Sequence, residues 1–191
     1  MHFDLKNRIY VVTGASGGIG SALVNLLNKE GAELFLIDTD QTSLDQLKKE
    51  QATHQNKNYF INSNLKDFKE IKNNLQKPIS GIIHLAGHLE SDNVNTSKKP
   101  IWERAIQNNL TNAYDIIENL IPFFDKNIIG KIILTSSLAY RRGGFDFIPY
   151  TASKGGITGL VRAYSRKLAP AILVNGLAPG IIDTKMPKKL I

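Results

Sequence analysis

The sequence contains no cysteine. That absence excludes both a disulfide framework and a thiolate metal site, and a core without disulfides suits a reducing compartment. Long apolar runs are missing too, with none near the roughly 20 residues of a membrane span. The start, His2 through Asp4 and Lys6 into a short apolar run, lacks the basic-then-apolar layout of a secretion signal. These absences lead to the expectation of a soluble, cytoplasmic protein. There is no internal repeat, no low-complexity tract and no linker. Residues 1–191 therefore read as one domain, and 42% apolar residues are enough for one globular core.

Positive charge is plentiful, at a net +7. Basic side chains in such excess can neutralise phosphates, but here they fall in scattered pairs: Lys48 and Lys49, Lys98 and Lys99, Arg141 and Arg142, Lys188 and Lys189. No aromatics are interleaved with them. The expectation is a solvated basic surface with no nucleic-acid partner, whose field helps attract an anionic cofactor or substrate.

Short apolar runs alternate with longer helical ones. Arg8–Thr13, Glu33–Asp38, Tyr59–Asn62, Gly81–Leu85, Lys131–Ser136 and Ile172–Leu177 read as strands. Helices are expected from the first glycine turn through Lys29, over Thr42–Gln51 and Asp67–Leu75, from about Ile101 to Phe124, and over Tyr150–Leu168. Glu90–Pro100 reads as a polar loop. Apolar strands alternating with helices pair in parallel, with right-handed crossovers over both faces. The expected fold is a doubly wound, three-layered α/β sheet of the Rossmann type.

Thr13-Gly14-Ala15-Ser16-Gly17-Gly18-Ile19-Gly20 lies between the first strand and the first helix. Gly14 allows a tight turn, Gly18 lets backbone approach a pyrophosphate, and Gly20 permits close helix–strand packing. The helix N-terminus then offers N–H groups to phosphate, and Ser16 and Ile19 join these expected cofactor contacts. Asp38 ends the second strand, eighteen residues after Gly20. A carboxylate there accepts hydrogen bonds from ribose hydroxyls and repels a 2′-phosphate. Neither Thr39 nor Gly17 supplies a compensating charge, so NAD is favoured over NADP.

Tyr150 and Lys154, four apart in a helical segment, share one face. An ammonium near a phenol favours phenolate and lowers its pKa, which suits a proton donor to a carbonyl or an acceptor from an alcohol. Ser137 lies thirteen residues earlier at the C-terminal end of the fifth strand, the edge that faces the ligand crevice in open α/β sheets. Its hydroxyl is a candidate to hold the substrate oxygen, and neighbouring Ser136 is an alternative that spacing does not exclude.

Over essentially its whole length the sequence resembles the short-chain dehydrogenase/reductase family. The Thr-Gly-x-x-x-Gly-x-Gly turn is present, and Ser137, Tyr150 and Lys154 match the family's Ser, twelve residues, Tyr-x-x-x-Lys. The resemblance implies that Ser137 orients substrate and that Tyr150 transfers the proton. It implies that Lys154 lowers the Tyr pKa and holds the nicotinamide ribose, and that Asn109 serves a water-linked proton relay. It also places Asn64, Leu65, Ala86, Gly87, Pro179, Gly180, Ile182 and Thr184 along the cofactor. Departures are visible. His84-Leu85-Ala86-Gly87 stands where the family has Asn-Asn-Ala-Gly, and His84, flanked by apolar Ile83 and Leu85, reads as structural. Asn64 replaces the acid near the adenine. Family members continue beyond the Pro-Gly segment into a helical flap and a seventh strand, which this sequence does not include.

The function implied is hydride transfer between NAD(H) and a secondary alcohol or carbonyl; the alternative is a non-catalytic dinucleotide-binding regulator or scaffold. By the same resemblance the protein forms a homodimer or homotetramer. Ile116, Ile117, Leu120, Ile121, Ile157, Leu160 and Val161 are then candidates to serve core and interface together. Specificity is expected from Leu89–Pro100 and Ala139–Pro149. Arg141 and Arg142 read there as solvated, and Phe145 and Phe147 as pocket wall or loop packing.

Overall fold

A computed structural model describes residues 4–93 and 98–188; His2, residues 94–97 of the polar loop and Lys189 lie outside the described residues. Six strands form one sheet: β1 (Ile9–Thr13), β2 (Glu33–Asp38), β3 (Asn58–Asn62), β4 (Gly81–His84), β5 (Gly130–Thr135) and β6 (Ile172–Leu177). All pairings are parallel, in the order β3-β2-β1-β4-β5-β6. The order reverses between β1 and β4, and that switch point brings Thr13 beside His84 in register. Crevices outside the C-terminal strand ends at such a point are where open α/β sheets bind ligands.

Helices α1 (Gly18–Lys29), α2 (Gln41–Gln51) and α3 (Lys69–Asn74) follow the first three strands. Asp40 caps α2 by accepting from the Ser43 amide at 3.0 Å. α4 (Lys98–Ala105), a π-helical turn (Ile106–Thr111), α5 (Asn112–Leu120) and a 3₁₀ turn (Ile121–Phe123) run between β4 and β5. The single helix expected over 101–124 is therefore corrected. It starts earlier, so Lys98–Pro100 are helical and not loop, it carries an i→i+5 turn in its middle, and it tightens where Pro122 enters a final 3₁₀ turn. Phe124 leaves the helix to bridge Ile79. The segment Ala139–Pro149 contains α6 (Ala139–Arg142) and the start of α7 (Ile148–Leu168), whose Pro149 lies in the first turn, where its missing N–H costs nothing. α8 (Lys185–Lys188) ends the described chain.

Strand alternation divides the core. Val11, Ile37, Ile82, Ile132 and Leu134 face Ile116, Ile117, Leu120 and Ile157 of α5 and α7. Val12, Leu34, Leu36 and Ile83 face Val24, Leu27 and Leu47 of α1 and α2. Ile116, Ile117, Leu120 and Ile157 are fully buried, so they belong to the core, whereas Ile121, Leu160 and Val161 pack only part of their surface against it. On the edge strand β6, Leu173 and Leu177 are exposed. No helix among the described residues is long and apolar enough to cross a membrane.

Candidate active site

The C-terminal ends of β1, β4 and β5 and the first turns of α1 and α7 come together at one end of the sheet. At the β1–α1 junction, Gly14 has φ +67°, a conformation suited to glycine. A Cβ added there would lie 2.8 Å from the Ala86 nitrogen, and one at Gly20 would overlap the Gly14 carbonyl oxygen. These glycines let the turn close against both the strand end and its own helix. α1 then begins with neither a side-chain cap nor an acid in its first turn, so its positive end is left for a phosphate. Ile19, in the same turn, is partly exposed. A Cβ at Gly18 would meet the Thr184 methyl at 2.5 Å, so Gly18 and Thr184 lie against each other. Pro179 holds this later segment to the site by accepting from the Leu138 amide at 2.8 Å. Gly180 stays close to Leu138, and Ile182 is exposed.

Asp38 is held by the glycine turn and by its own loop. Its Oδ2 accepts from the Ser16 amide at 3.0 Å and the Ser16 hydroxyl at 2.7 Å, and its Oδ1 from the Thr39 and Asp40 amides. Asp40 adds a second carboxylate nearby, kept below its usual range chiefly by the Ser43 amide and hydroxyl, with a smaller part from Lys185. Asn64 is exposed and accepts from Lys66, while buried Leu65 adopts a positive φ.

Just after β5, the two serines are told apart. Ser136 turns its hydroxyl to the Lys154 carbonyl in α7, at 2.7 Å. Ser137, one residue on and half-buried, accepts from the Ala139 amide at 3.2 Å and keeps its hydroxyl beside the Tyr150 phenol. Burial pushes the Tyr150 phenol up and the Ser137 contact pulls it back, with a net rise. The lowering expected from Lys154 is not found. Its ammonium sits 5.7 Å from the Tyr150 ring centroid and donates to the Thr135 carbonyl at 2.8 Å. Burial brings its own pKa down to about 8. The phenol therefore stays protonated at neutral pH, as a proton donor requires.

Asn109 is fully buried in the π-helical turn. Its Oδ1 accepts from the His88 amide at 2.7 Å, and its Nδ2 donates to the His88 carbonyl and to Ser153 Oγ, both at 3.0 Å. Ser153 donates in turn to the Tyr150 carbonyl at 2.7 Å. A Cβ on Gly87 would lie 3.0 Å from Asn109 Oδ1 and 3.2 Å from Lys154 Nζ, so Gly87, Asn109 and Lys154 share one small volume.

Sequence reading missed Ser153, which joins two site elements, and Thr13, whose hydroxyl accepts from the Ala86 amide at 3.2 Å. It also missed Asp92. This buried acid donates its amide to Asp146 and accepts from the amide of Ile148, the first residue of α7, at 3.1 Å. Only Thr13 carried a signal, as the first residue of the glycine motif. Arg141, Arg142 and Phe145 are exposed, as a solvated rim would be, and Phe147 is partly buried.

A model of short chain dehydrogenases matches residues 8–191. The chain belongs to the short-chain dehydrogenase family. It is 30% identical over 193 residues to the 3-oxoacyl-[acyl-carrier-protein] reductase of Thermotoga maritima, covering 97% of this chain and 78% of that protein. A glucose/ribitol dehydrogenase-type member from Brucella melitensis superposes with TM-score 0.91 at 30% identity, covering 100% of this chain and 79% of the other. A Shigella flexneri short-chain dehydrogenase complexed with NADP superposes at 0.84 with 25% identity, covering 97% and 82%. The short-chain dehydrogenase reading makes this chain an oxidoreductase with an NAD(P) cofactor, and the glycine turn and the acid-free start of α1 fit that cofactor.

Proposed function

We propose that this short-chain dehydrogenase reduces a carbonyl substrate with NADH, using Tyr150 as the general acid. The observation that carries the proposal is the meeting of Ser137, Tyr150 and a buried Lys154 at the strand ends that also carry the glycine turn. NAD(H) supplies the hydride when bound. Ser137 holds the carbonyl oxygen within reach of the phenol, and Tyr150 delivers its proton to that oxygen as negative charge develops there. Lys154 holds the nicotinamide ribose and carries the charge that stabilises the phenolate left behind. Asn109, tied to His88 and Ser153, fixes the π-helical turn beside Lys154 so that a proton can return through water.

The preference for NAD(H) rests on Asp38 and Asp40, two carboxylates in the loop after β2; a 2′-phosphate bound there would meet like charge. The NADP of the Shigella relative makes the preference a matter for measurement. The Thermotoga relative, named as a 3-oxoacyl reductase, points to 3-oxo thioesters as the first substrates to try. All six strands share one sheet, which supports treating residues 1–191 as one cofactor-binding and catalytic unit. A cytoplasmic homodimer or homotetramer built on α5 and α7 belongs to the same reading; exposed Trp102 and Tyr114, beside that face, support it.

Titrating NADH and NADPH into the wild type and Asp38→Ala tests the cofactor half. Tighter NADH binding, lost on Asp38→Ala, is expected. Equal or tighter NADPH binding by the wild type would refute the preference, and binding of neither dinucleotide would refute the enzyme reading.

A further inference from the structure

We propose, resting on the reading of this chain as a dinucleotide-dependent oxidoreductase, that His84 is a positioning residue of the cofactor cradle. It acts through the hydroxyl of Thr13 on the Ala86–Gly87 backbone.

His84 is fully buried at the C-terminal end of β4, and its Nδ1 lies 2.8 Å from Thr13 Oγ1. The same oxygen accepts from the Ala86 amide at 3.2 Å, and the Thr13 carbonyl accepts from the Leu85 amide at 3.1 Å. The direction of the chain follows from proton counting. Thr13 is fully buried, so its hydroxyl proton needs an acceptor. The Thr13 oxygen is already accepting, and Nδ1 is the acceptor within reach. The chain therefore runs from Ala86 N–H to the Thr13 oxygen and from the Thr13 O–H to Nδ1, and the ring proton then lies on Nε2, a buried atom that meets no partner among the described residues. Each bond polarises the next. A neutral imidazole is required for this, and burial beside the Lys154 charge keeps it neutral.

What the chain holds is the surface a dinucleotide would touch. Gly14 meets Ala86 and Leu85 with no room for a Cβ, so the glycine turn and the end of β4 move together. Gly87, next along, abuts Asn109 and Lys154. Without an acceptor at residue 84, the Thr13 hydroxyl must turn to seek another partner. The amide of Ala86 then loses its fixed oxygen, and the strand end loosens from the turn. The δ position is what matters: Asn places an acceptor oxygen where His places Nδ1, and Leu places a methyl there.

NADH affinity, measured by titration on His84→Leu, His84→Asn, Thr13→Val and the double variant His84→Leu/Thr13→Val, tests this, with a melting temperature for each. His84→Leu is expected to weaken NADH about tenfold, the scale of one hydrogen bond, while His84→Asn stays within about twofold of wild type by keeping the acceptor. Adding His84→Leu to Thr13→Val should change nothing further, because the effect passes through the hydroxyl. If His84→Leu does not fold, Thr13→Val against Thr13→Ser makes the same comparison, with only Val expected to weaken NADH. A His84→Leu protein that melts earlier yet binds NADH as the wild type does would overturn the proposal. So would additive losses in the double variant, or equal affinity for Thr13→Val and Thr13→Ser. Failure of the wild type itself to bind NADH would instead remove the enzyme reading.

Discussion

His84 makes stability depend on pH in a way that one substitution removes. Its pKa is held down to about 3 by full burial and the nearby Lys154, against an ordinary value of 6.5. The unfolded chain takes up a proton at this position below pH 6.5, and the folded chain does not until about pH 3. Stability is therefore complete above pH 6.5 and lost as the pH falls towards 3. Each unit of that interval corresponds to about 1.4 kcal/mol, so about 2 kcal/mol is gone at pH 5 and about 5 kcal/mol at the bottom of the window. Against the roughly 5–15 kcal/mol of a typical domain, that is enough to bring acid unfolding forward. Urea unfolding at pH 7 and pH 5, on wild type and His84→Asn, isolates the effect, since every other titrating group is common to both. The wild type should lose about 2 kcal/mol more than the variant between the two pH values. Parallel losses would refute the reasoning, for they would mean that His84 is not held neutral by the fold.

Lys154 acts in the same direction at higher pH. With its pKa brought from 10.5 to about 8, it is protonated in the unfolded chain and neutral in the folded one between those values, so stability should rise with pH from 8 to 10.5. Lys154→Met should abolish that rise and melt higher than wild type at pH 7 by up to about 3 kcal/mol, while losing turnover; an unchanged pH dependence of the melting temperature contradicts this. Gly155 and Gly159 face open space in the middle of α7, and Ala at either should stabilise by about 0.5–1 kcal/mol in chemical denaturation. Gly20→Ala, whose methyl would overlap the Gly14 carbonyl, should destroy NADH binding. A Gly20→Ala protein with wild-type affinity would show that the turn is not held as described.

The sheet was legible because buried parallel strands are near-continuous apolar runs, and Ile9–Thr13, Gly81–His84 and Gly130–Thr135 are of that kind. The glycine turn and the Tyr150–Lys154 pair were legible because each is a fixed local spacing, on one turn and on one helix face. The π-helical turn around Asn109 was not, since one extra residue per turn leaves the apolar pattern of the flanking helices nearly intact. Ser136 and Ser137 could not be separated by spacing, because successive residues at a strand end point opposite ways and parity is fixed only by register. Thr13–His84 and Asp92–Ile148 are contacts 71 and 56 residues apart, and nothing local marks them. The sign of the Tyr150 shift depended on burial, which spacing along a helix does not reveal.

The most direct measurement is NADH oxidation by wild type and Tyr150→Phe over a panel of 3-oxo thioesters and keto sugars. The account predicts that the wild type turns over at least one carbonyl, and that Tyr150→Phe, still binding NADH, is slower by about 10²–10⁴-fold, the range of general acid catalysis. A Tyr150→Phe protein that reduces the same carbonyl at the wild-type rate would contradict it.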